Sequence, residues 1–445
     1  MKRFLIITVS LFALMLLYAC SDSQEKMHDP EPVIEQVTNH EITVGSVTGQ
    51  YTGTLTDGIP TGNGSIAVNV SGLRWVFDGE FINGALADGK LTDFPLTVKL
   101  QNEDVNGTFT GAAVSGQPSG SGVFSASDTE MKYEGELTNG GLSGEGKVSD
   151  FMYTLEYDSN EYLGVYNGDI IDGMISGEGS FDYEQDDVYF NYVGGWLDGA
   201  FAEDGFLKSN DFTVHFSEVS RTGTFEGEMF DGMAHGHGVF SAVNDDDVSY
   251  VYTGDWEKNL YNGQGILIFD DDMYFDRIGT FEDGDFTPTV SEAFVSFGTV
   301  DAMGYSVNDY SIEFMNEHNS LFTSESKEDT KELISILNEL TNSAFAYGEF
   351  SKNPSRYDGG IFKATRLTVN QIVEQEMWGS IERTFLIAQD RNWNVYFINY
   401  LGYADGIYAG NRITLYALPL DYMTFENSLG GVTWAIACAA IYIHK

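Results

Sequence analysis

Basic side chains are scarce in this chain. Only 22 of its 445 residues are Lys or Arg, against 68 Asp and Glu, so the formal charge is −46. Such a field repels phosphate backbones and disfavours nucleic acid or anionic membrane surfaces as partners. Cysteine is nearly missing: two residues cannot form a disulfide framework. Proline numbers eight, and the 50 glycines do not fall on every third residue, which excludes collagen. No long apolar run is present either; the longest near the start, Phe4 to Leu17, is shorter than the roughly 20 residues a spanning helix needs. What is present is apolar and aromatic bulk, 42% and 14% of the chain. That is too much for a disordered acidic polymer, and the length suggests two or three domains.

The first residues read as an address. Lys2 and Arg3 precede the uncharged run Phe4 to Leu17, the arrangement of an export signal. The run ends Leu17-Tyr18-Ala19-Cys20, which resembles the lipobox of bacterial lipoproteins. The resemblance implies cleavage before Cys20 and lipid attachment, palmitate included, at that residue, hence export to the cell envelope with a lipid anchor in the cell membrane or outer membrane. Residues 1–19 are then a signal peptide, and 20–43, polar with Pro30 and Pro32, a flexible tether. Cys438 sits in the apolar run Trp434 to Tyr442 and reads as a buried structural thiol.

A glycine ruler organises the next part. From Gly53, glycines recur at +5, +9 and +11 (Gly58, Gly62, Gly64). The ruler repeats from Gly111, Gly135, Gly168 and Gly227, from Gly254 with Asn259 replacing one glycine, and in degenerate form from Gly79, Gly194 and Gly279. An aromatic usually stands two residues before each origin, as in Tyr51, Tyr133, Tyr166, Tyr192 and Tyr252, and an apolar residue two after it. Period two places both on one face of a strand. The following Asp-Gly or Asn-Gly pairs, such as Asp57-Gly58 and Asp172-Gly173, are hairpin turns. The Gly-x-Gly on the returning strand is expected to leave room for the neighbouring repeat's ring. One hairpin cannot bury its rings; a stack of them can.

This spacing resembles the MORN repeat over about Val44 to Phe286, with Tyr166–Gly179 and Tyr252–Gly265 its most regular copies. The resemblance implies an elongated β-hairpin solenoid that serves as a protein-interaction scaffold. The origins lie 24 to 33 residues apart, longer than usual for that family, and the excess is read as longer strands and loops between repeats. Anionic lipid headgroups are not expected as ligands, because the first 290 residues hold 12 basic against 49 acidic side chains. A basic or neutral partner suits that field better.

The rhythm stops at Pro288. Residues 288–345 read as a connector with one helix, Glu328 to Ala344, from the spacing of Leu333, Ile334, Leu337 and Leu340. Residues 346–445 carry five β-rich runs and suggest a small Greek-key barrel. More specifically, Asn353 to Gly359, the Gly410–Ala417 run and Asn427–Gly431 resemble OB-fold modules of secreted and lipid-anchored Gram-positive proteins. Gly360-Ile361-Phe362 stands where those modules usually carry lysines, which weakens phosphate or oligonucleotide capture. The expected fold is therefore mainly β: a solenoid over 44–287, a short helical connector and an OB-like barrel.

Trp378, Trp393, Tyr396, Phe397 and Tyr400 are the candidate ligand-binding residues, since aromatics on such a face can stack on sugars, bases or peptide side chains. The same residues would serve equally well as barrel filling. Asp245–Asp247 and Asp270–Asp272 lack the spacing of an EF-hand, and His235 with His237 has no third ligand nearby, so no metal and no cofactor is expected. Gly84–Lys90 and Gly141–Lys147 match Gly-x₄-Gly-Lys but lack the Ser or Thr of a P-loop. Without a Gly-x-Ser-x-Gly elbow, the sequence points away from an enzyme. It points instead to an envelope protein that binds another exported or envelope macromolecule; carbohydrate or peptidoglycan capture by the barrel aromatics is the second reading.

Overall fold

A computed structural model describes residues 31–70, 72–271, 273–299, 304–323, 330–379, 381–427 and 430–445. The signal segment and Cys20 lie outside them.

Nineteen strands, from β1 (Ile34–Val44) to β19 (Asp285–Phe286), form one antiparallel sheet in which each strand pairs with the next. At about 4.8 Å per strand the sheet extends on the order of 90 Å along its hydrogen bonds. Residues 34–43, expected within the tether, are the edge strand β1: Ile34 to Val44 pairs along the 47–56 strand.

The turn chemistry works as read. Asp57 and Gly58 have φ of 53° and 80°, Asp172 and Gly173 of 50° and 83°, the paired left-handed conformations of a type I′ turn. Each turn also stacks on the copy before it. The amide of Gly84 donates to the Pro60 carbonyl at 3.0 Å, and that of Gly199 to Ile175 at 3.0 Å.

The ring packing differs from expectation in one respect. In the regular hairpins the origin glycine faces the +11 glycine across the strands, as Gly53 faces Gly64 and Gly168 faces Gly179, and Gly79 faces Gly89 at +10. The ring two residues upstream lies over this pair in its own repeat: a Cβ built on Gly64 would come within 2.7 Å of the Tyr51 hydroxyl. The neighbouring repeat's Trp also reaches the returning glycine, where Trp196 donates to the Gly179 carbonyl at 3.2 Å and Trp256 lies beside Gly238. The tyrosine hydroxyl then donates to the carbonyl three residues on, Tyr166 to Asp169 at 3.0 Å and Tyr252 to Asp255 at 2.7 Å. A strand that bulges at every origin brings that carbonyl within reach.

The long spacings have a structural cause. Strands of 16 or 17 residues, Ala85–Leu100, Gly141–Tyr157 and Ala200–His215, occur once in every two repeats. Their hairpins reach the turns of later copies at the opposite ends of the strands. The Gln101 amide donates to Gly173, the Tyr153 hydroxyl to Gly199, and the Phe216 ring packs beside Gly284 and Tyr261. The two margins of the sheet therefore meet over its aromatic face and form one continuous core, in which Tyr51, Tyr133, Tyr166 and Tyr252 are fully buried.

Besides the one main helix expected, the connector holds shorter ones. α1 (Val290–Phe297), α2 (Asp309–Glu317) and the short α3 (Asn319–Phe322) precede α4 (Thr330–Leu340), the helix the sequence indicated. Phe314–His318, which the sequence also allows as a short helix or turn, falls at the end of α2. α1 begins with a capping box in which Thr289 and Glu292 bond each other's backbone amides. Beyond it, β20 (Phe362–Met377), β21 (Ile381–Gln389), β22 (Val395–Leu401), β23 (Arg412–Glu426) and β24 (Val432–His444) close a barrel in the order 20-21-22-24-23. Only β22 and β24 run parallel. All five strands contribute to one buried set, including Leu367, Leu386, Ile398, Leu415 and Cys438, which fills the interior. The opposite face, with Phe385, Phe397 and Ala437, packs on the connector helices.

Candidate functional site

The five candidate aromatics separate by location. Tyr396 and Tyr400 belong to the barrel interior, and Phe397 lies between the barrel wall and Tyr305. All three are buried, so none offers a free ring. Trp378 sits in the turn between β20 and β21 and packs edge-on against Phe286 at 4.9 Å and flat on Phe297 at 5.2 Å. It joins the barrel to the end of the sheet.

Trp393 alone of the five is open, with 77% of its surface exposed. It takes φ of 67°, an uncommon setting for a bulky residue. Asp390 enforces it. One carboxylate oxygen accepts from the amides of Asn392 and Asn394 at 2.7 and 3.0 Å, and the other from the Asn394 side chain at 2.9 Å. The ring stands at one end of a groove of about 760 Å³. Arg366, Arg391 and Arg412 line this groove, all exposed and none in an ion pair among the described residues. Lys363 joins them, its ammonium 4.7 Å from the Tyr416 ring centre. The lining's one carboxylate, Asp390, is engaged in the turn. In a chain of this acidity the groove is a local reversal of sign. The sequence hid it because its cations stand far apart, at 363–366, 391 and 412.

The other chemistry-bearing residues are engaged elsewhere. Asp245 pairs with Arg221 at 2.6 Å, and Asp246 accepts from Tyr274 at 2.5 Å. His237 lies 3.6 Å from Asp255, and the His235 ring lies tilted beside Phe230, centres 5.8 Å apart. Among the described residues no three such ligands converge. Lys147, the end of one Gly-Lys match, bonds Asp169 at 2.7 Å. Burial alone pushes the Cys438 thiol far up, which makes it inert.

On the solenoid, the face away from the core carries a row of exposed apolar side chains. Val193 pairs with Phe206, Val239 with Thr253, Thr253 with Ile266, and Val251 with Ile268. Glu226 and Glu228, opposite Val239 and Phe206 on the strand between, interrupt this row within a shallow depression that also contains His237, and Glu226 pairs with Lys208 at 3.2 Å. The row runs through the copies that begin at Gly194, Gly227 and Gly254.

The MORN repeat family matches residues 225–246 and 252–274. These two MORN repeats are the copies from Gly227 and Gly254, and each starts on the ring that lies over its glycine pair, Phe225 and Tyr252. Copies outside these matches form hairpins of the same sheet. No curated protein matches the chain. Among the described residues no helix is long and apolar enough to cross a membrane, which leaves strand-built membrane structures unaddressed.

Proposed function

We propose that the protein is a non-enzymatic, lipid-anchored component of a bacterial cell envelope whose MORN solenoid is a protein-interaction scaffold. The observation that carries this reading is the pair of MORN repeats lying under exposed apolar side chains with two carboxylates set among them. Apolar rows of this kind mark interaction surfaces. These carboxylates favour an envelope or extracellular protein with Lys or Arg set in an apolar patch, and the charge of −46 steers such a partner in. Cys20 supplies the anchor. The test is capture of partners by the full chain, compared with Phe206→Asp/Ile266→Asp and with Trp393→Ala. A partner lost from the first variant and kept by the second supports the scaffold; a partner kept by both refutes it. Loss of palmitate labelling in Cys20→Ser checks the anchor.

The second reading, carbohydrate or peptidoglycan capture by the barrel, is favoured by the Trp393 groove. The barrel's strand order, with a single parallel pair, supports the OB-like reading. Barrels of that kind bind ligands across strands 2 and 3, and here that face is covered by the connector. Trp393 with Arg366, Arg391 and Arg412 offers a replacement surface on which a sugar ring stacks and carboxylates of a wall glycan or its peptide meet guanidinium. Titration with muropeptides should quench Trp393 emission in the full chain, and Trp393→Phe should remove that change; an unchanged signal removes this reading.

A further inference from the structure

Where the sheet ends against the barrel, the last hairpins and the Trp378-Gly379 turn enclose a cavity of about 660 Å³. Its walls include the rings of Phe216, Phe269, Phe286 and Trp378. Two guanidinium groups line it, and they differ. Arg221 is neutralised by Asp245 at 2.6 Å. Arg277 has no such partner. Its buried Nε lacks any hydrogen bond, and none of the ion pairs among the described residues includes it. Its Cζ lies 5.6 Å from the centre of the Phe269 ring. Burial pushes its pKa down, with Tyr261, Asp285 and Tyr250 acting the other way.

A buried charge is normally paired, because desolvation otherwise costs several kilocalories per mole. In a chain with three acids for every base, leaving a guanidinium unpaired inside an aromatic cavity is a conspicuous cost. A cation at one end and rings along the sides suit an amphipathic anion. Glu218 and Asp285 also line the cavity, so a dianion would meet more repulsion than a monoanion. The planar fork of one free Arg fits a carboxylate in two parallel hydrogen bonds.

We propose that this junction binds a small organic carboxylate, its charged end on Arg277 and its apolar body against the aromatic wall. The site depends on both halves of the molecule, since Arg277 comes from the solenoid and Trp378 from the barrel. It is independent of the scaffold reading above.

The experiment is calorimetric titration and thermal denaturation of the full chain in detergent with phenylacetate, N-acetylphenylalanine and octanoate. N-acetylphenylalaninamide and inorganic phosphate serve as the neutral and the multiply charged comparison. At least one carboxylate should bind and raise the melting temperature, and Arg277→Gln should weaken that binding by at least about tenfold. Should Arg277→Gln not fold, Arg277→Lys, which keeps the charge and loses the fork, carries the same test. The amide and phosphate should bind at least about tenfold more weakly than the best carboxylate. No binding by any of the three acids at millimolar concentration overturns the proposal. So does equal binding by the amide or by phosphate, or unchanged affinity in the Arg277 variant.

Discussion

Solenoid glycines lie beneath rings, at turns or at positive-φ positions of the returning strand, and an added methyl costs differently in each place. At Gly179 a Cβ would come within 2.5 Å of Cε2 of Tyr166, with strand backbone on the other side. Gly179→Ala should therefore lose about 2–3 kcal/mol, the range of core overpacking. At Gly58 nothing lies within 4 Å but φ is +80°, so the Ala variant should lose only about 1–2 kcal/mol from the left-handed backbone. Gly348, in the single turn Tyr347–Phe350, has neither constraint, and Ala there should be neutral or slightly stabilising. Urea titration of the three variants checks that order. The rings over the glycines make a second prediction. Burial pushes Tyr192 up to about 12 and shifts Tyr51, Tyr133, Tyr166 and Tyr252 the same way. The unfolded chain ionises its tyrosines near pH 10 while the folded chain resists. The stability these groups contribute is thus complete below pH 10 and is lost as the pH rises towards 12. Tyrosinate absorbance should rise in one cooperative step together with loss of near-ultraviolet circular dichroism; independent titration of every tyrosine near pH 10 would contradict the packing. The aromatic-x-Gly spacing is fully legible in the sequence, because a period of two and turn chemistry are local. Whether a ring crosses its own strand or the next is not, since both choices share one spacing and only the bulge at the origin decides.

Among the elements, the joint between solenoid and barrel is held by groups that no motif announces. Arg383 on β21 is 5% exposed and gives Nε and Nη2 to Asn399 at 3.0 and 2.5 Å. Asn399 donates to the Tyr305 hydroxyl at 3.1 Å, which donates to the Phe294 carbonyl of α1 at 2.9 Å. The guanidinium also lies 4.5 Å from the Phe297 ring centre, and desolvation lowers its pKa to about 10. Arg383→Ala leaves the buried Asn399 Oδ1 without its donors beside a void, so a loss of about 2–4 kcal/mol is expected. Arg383→Met fills the space without a charge to desolvate and should lose less. Hydrogen exchange over Val290–Phe297 is the readout, and it should quicken in the Ala variant. In sequence Arg383 resembles any charged strand residue, and its burial depends on a helix some ninety positions upstream. That helix did have a local signature. Thr289-Val290-Ser291-Glu292 before an apolar turn is a capping box, but the run after it is too short for helical periodicity to register beside Pro288. The barrel strands were easier, since alternation within one strand needs no distant information; the outer face was not, because Phe397 looks the same whether a ligand or a helix covers it.

For the molecule as a whole, the unit of construction is two repeats, because one long hairpin serves each pair. Origins Gly53, Gly111, Gly168 and Gly227 occupy equivalent places. Deleting residues 111–167 should then leave a folded chain about 19 Å shorter, four strands at about 4.8 Å each. Deleting 111–134 alone places two long hairpins side by side, with tips competing for one turn, and should give a partly open solenoid. Small-angle scattering separates the outcomes; equal behaviour of both deletions would show that the single repeat is the true unit. The same scale governs charge. With 12 basic against 49 acidic side chains in the first 290 residues, most carboxylates must face one another through solvent, and folding compresses them. Screening shortens from about 30 Å at 0.01 M to about 3 Å at 1 M salt. Sodium chloride raised across that range should therefore increase the melting temperature. Lowering the pH towards 4.5 at low salt should do the same, because it reduces the net negative charge. A melting temperature independent of salt at neutral pH would mean that the acids are spaced widely enough along the sheet to cost nothing. In that case the negative field is free to act outward, and association with a cationic partner should be steeply salt-dependent while stability is not.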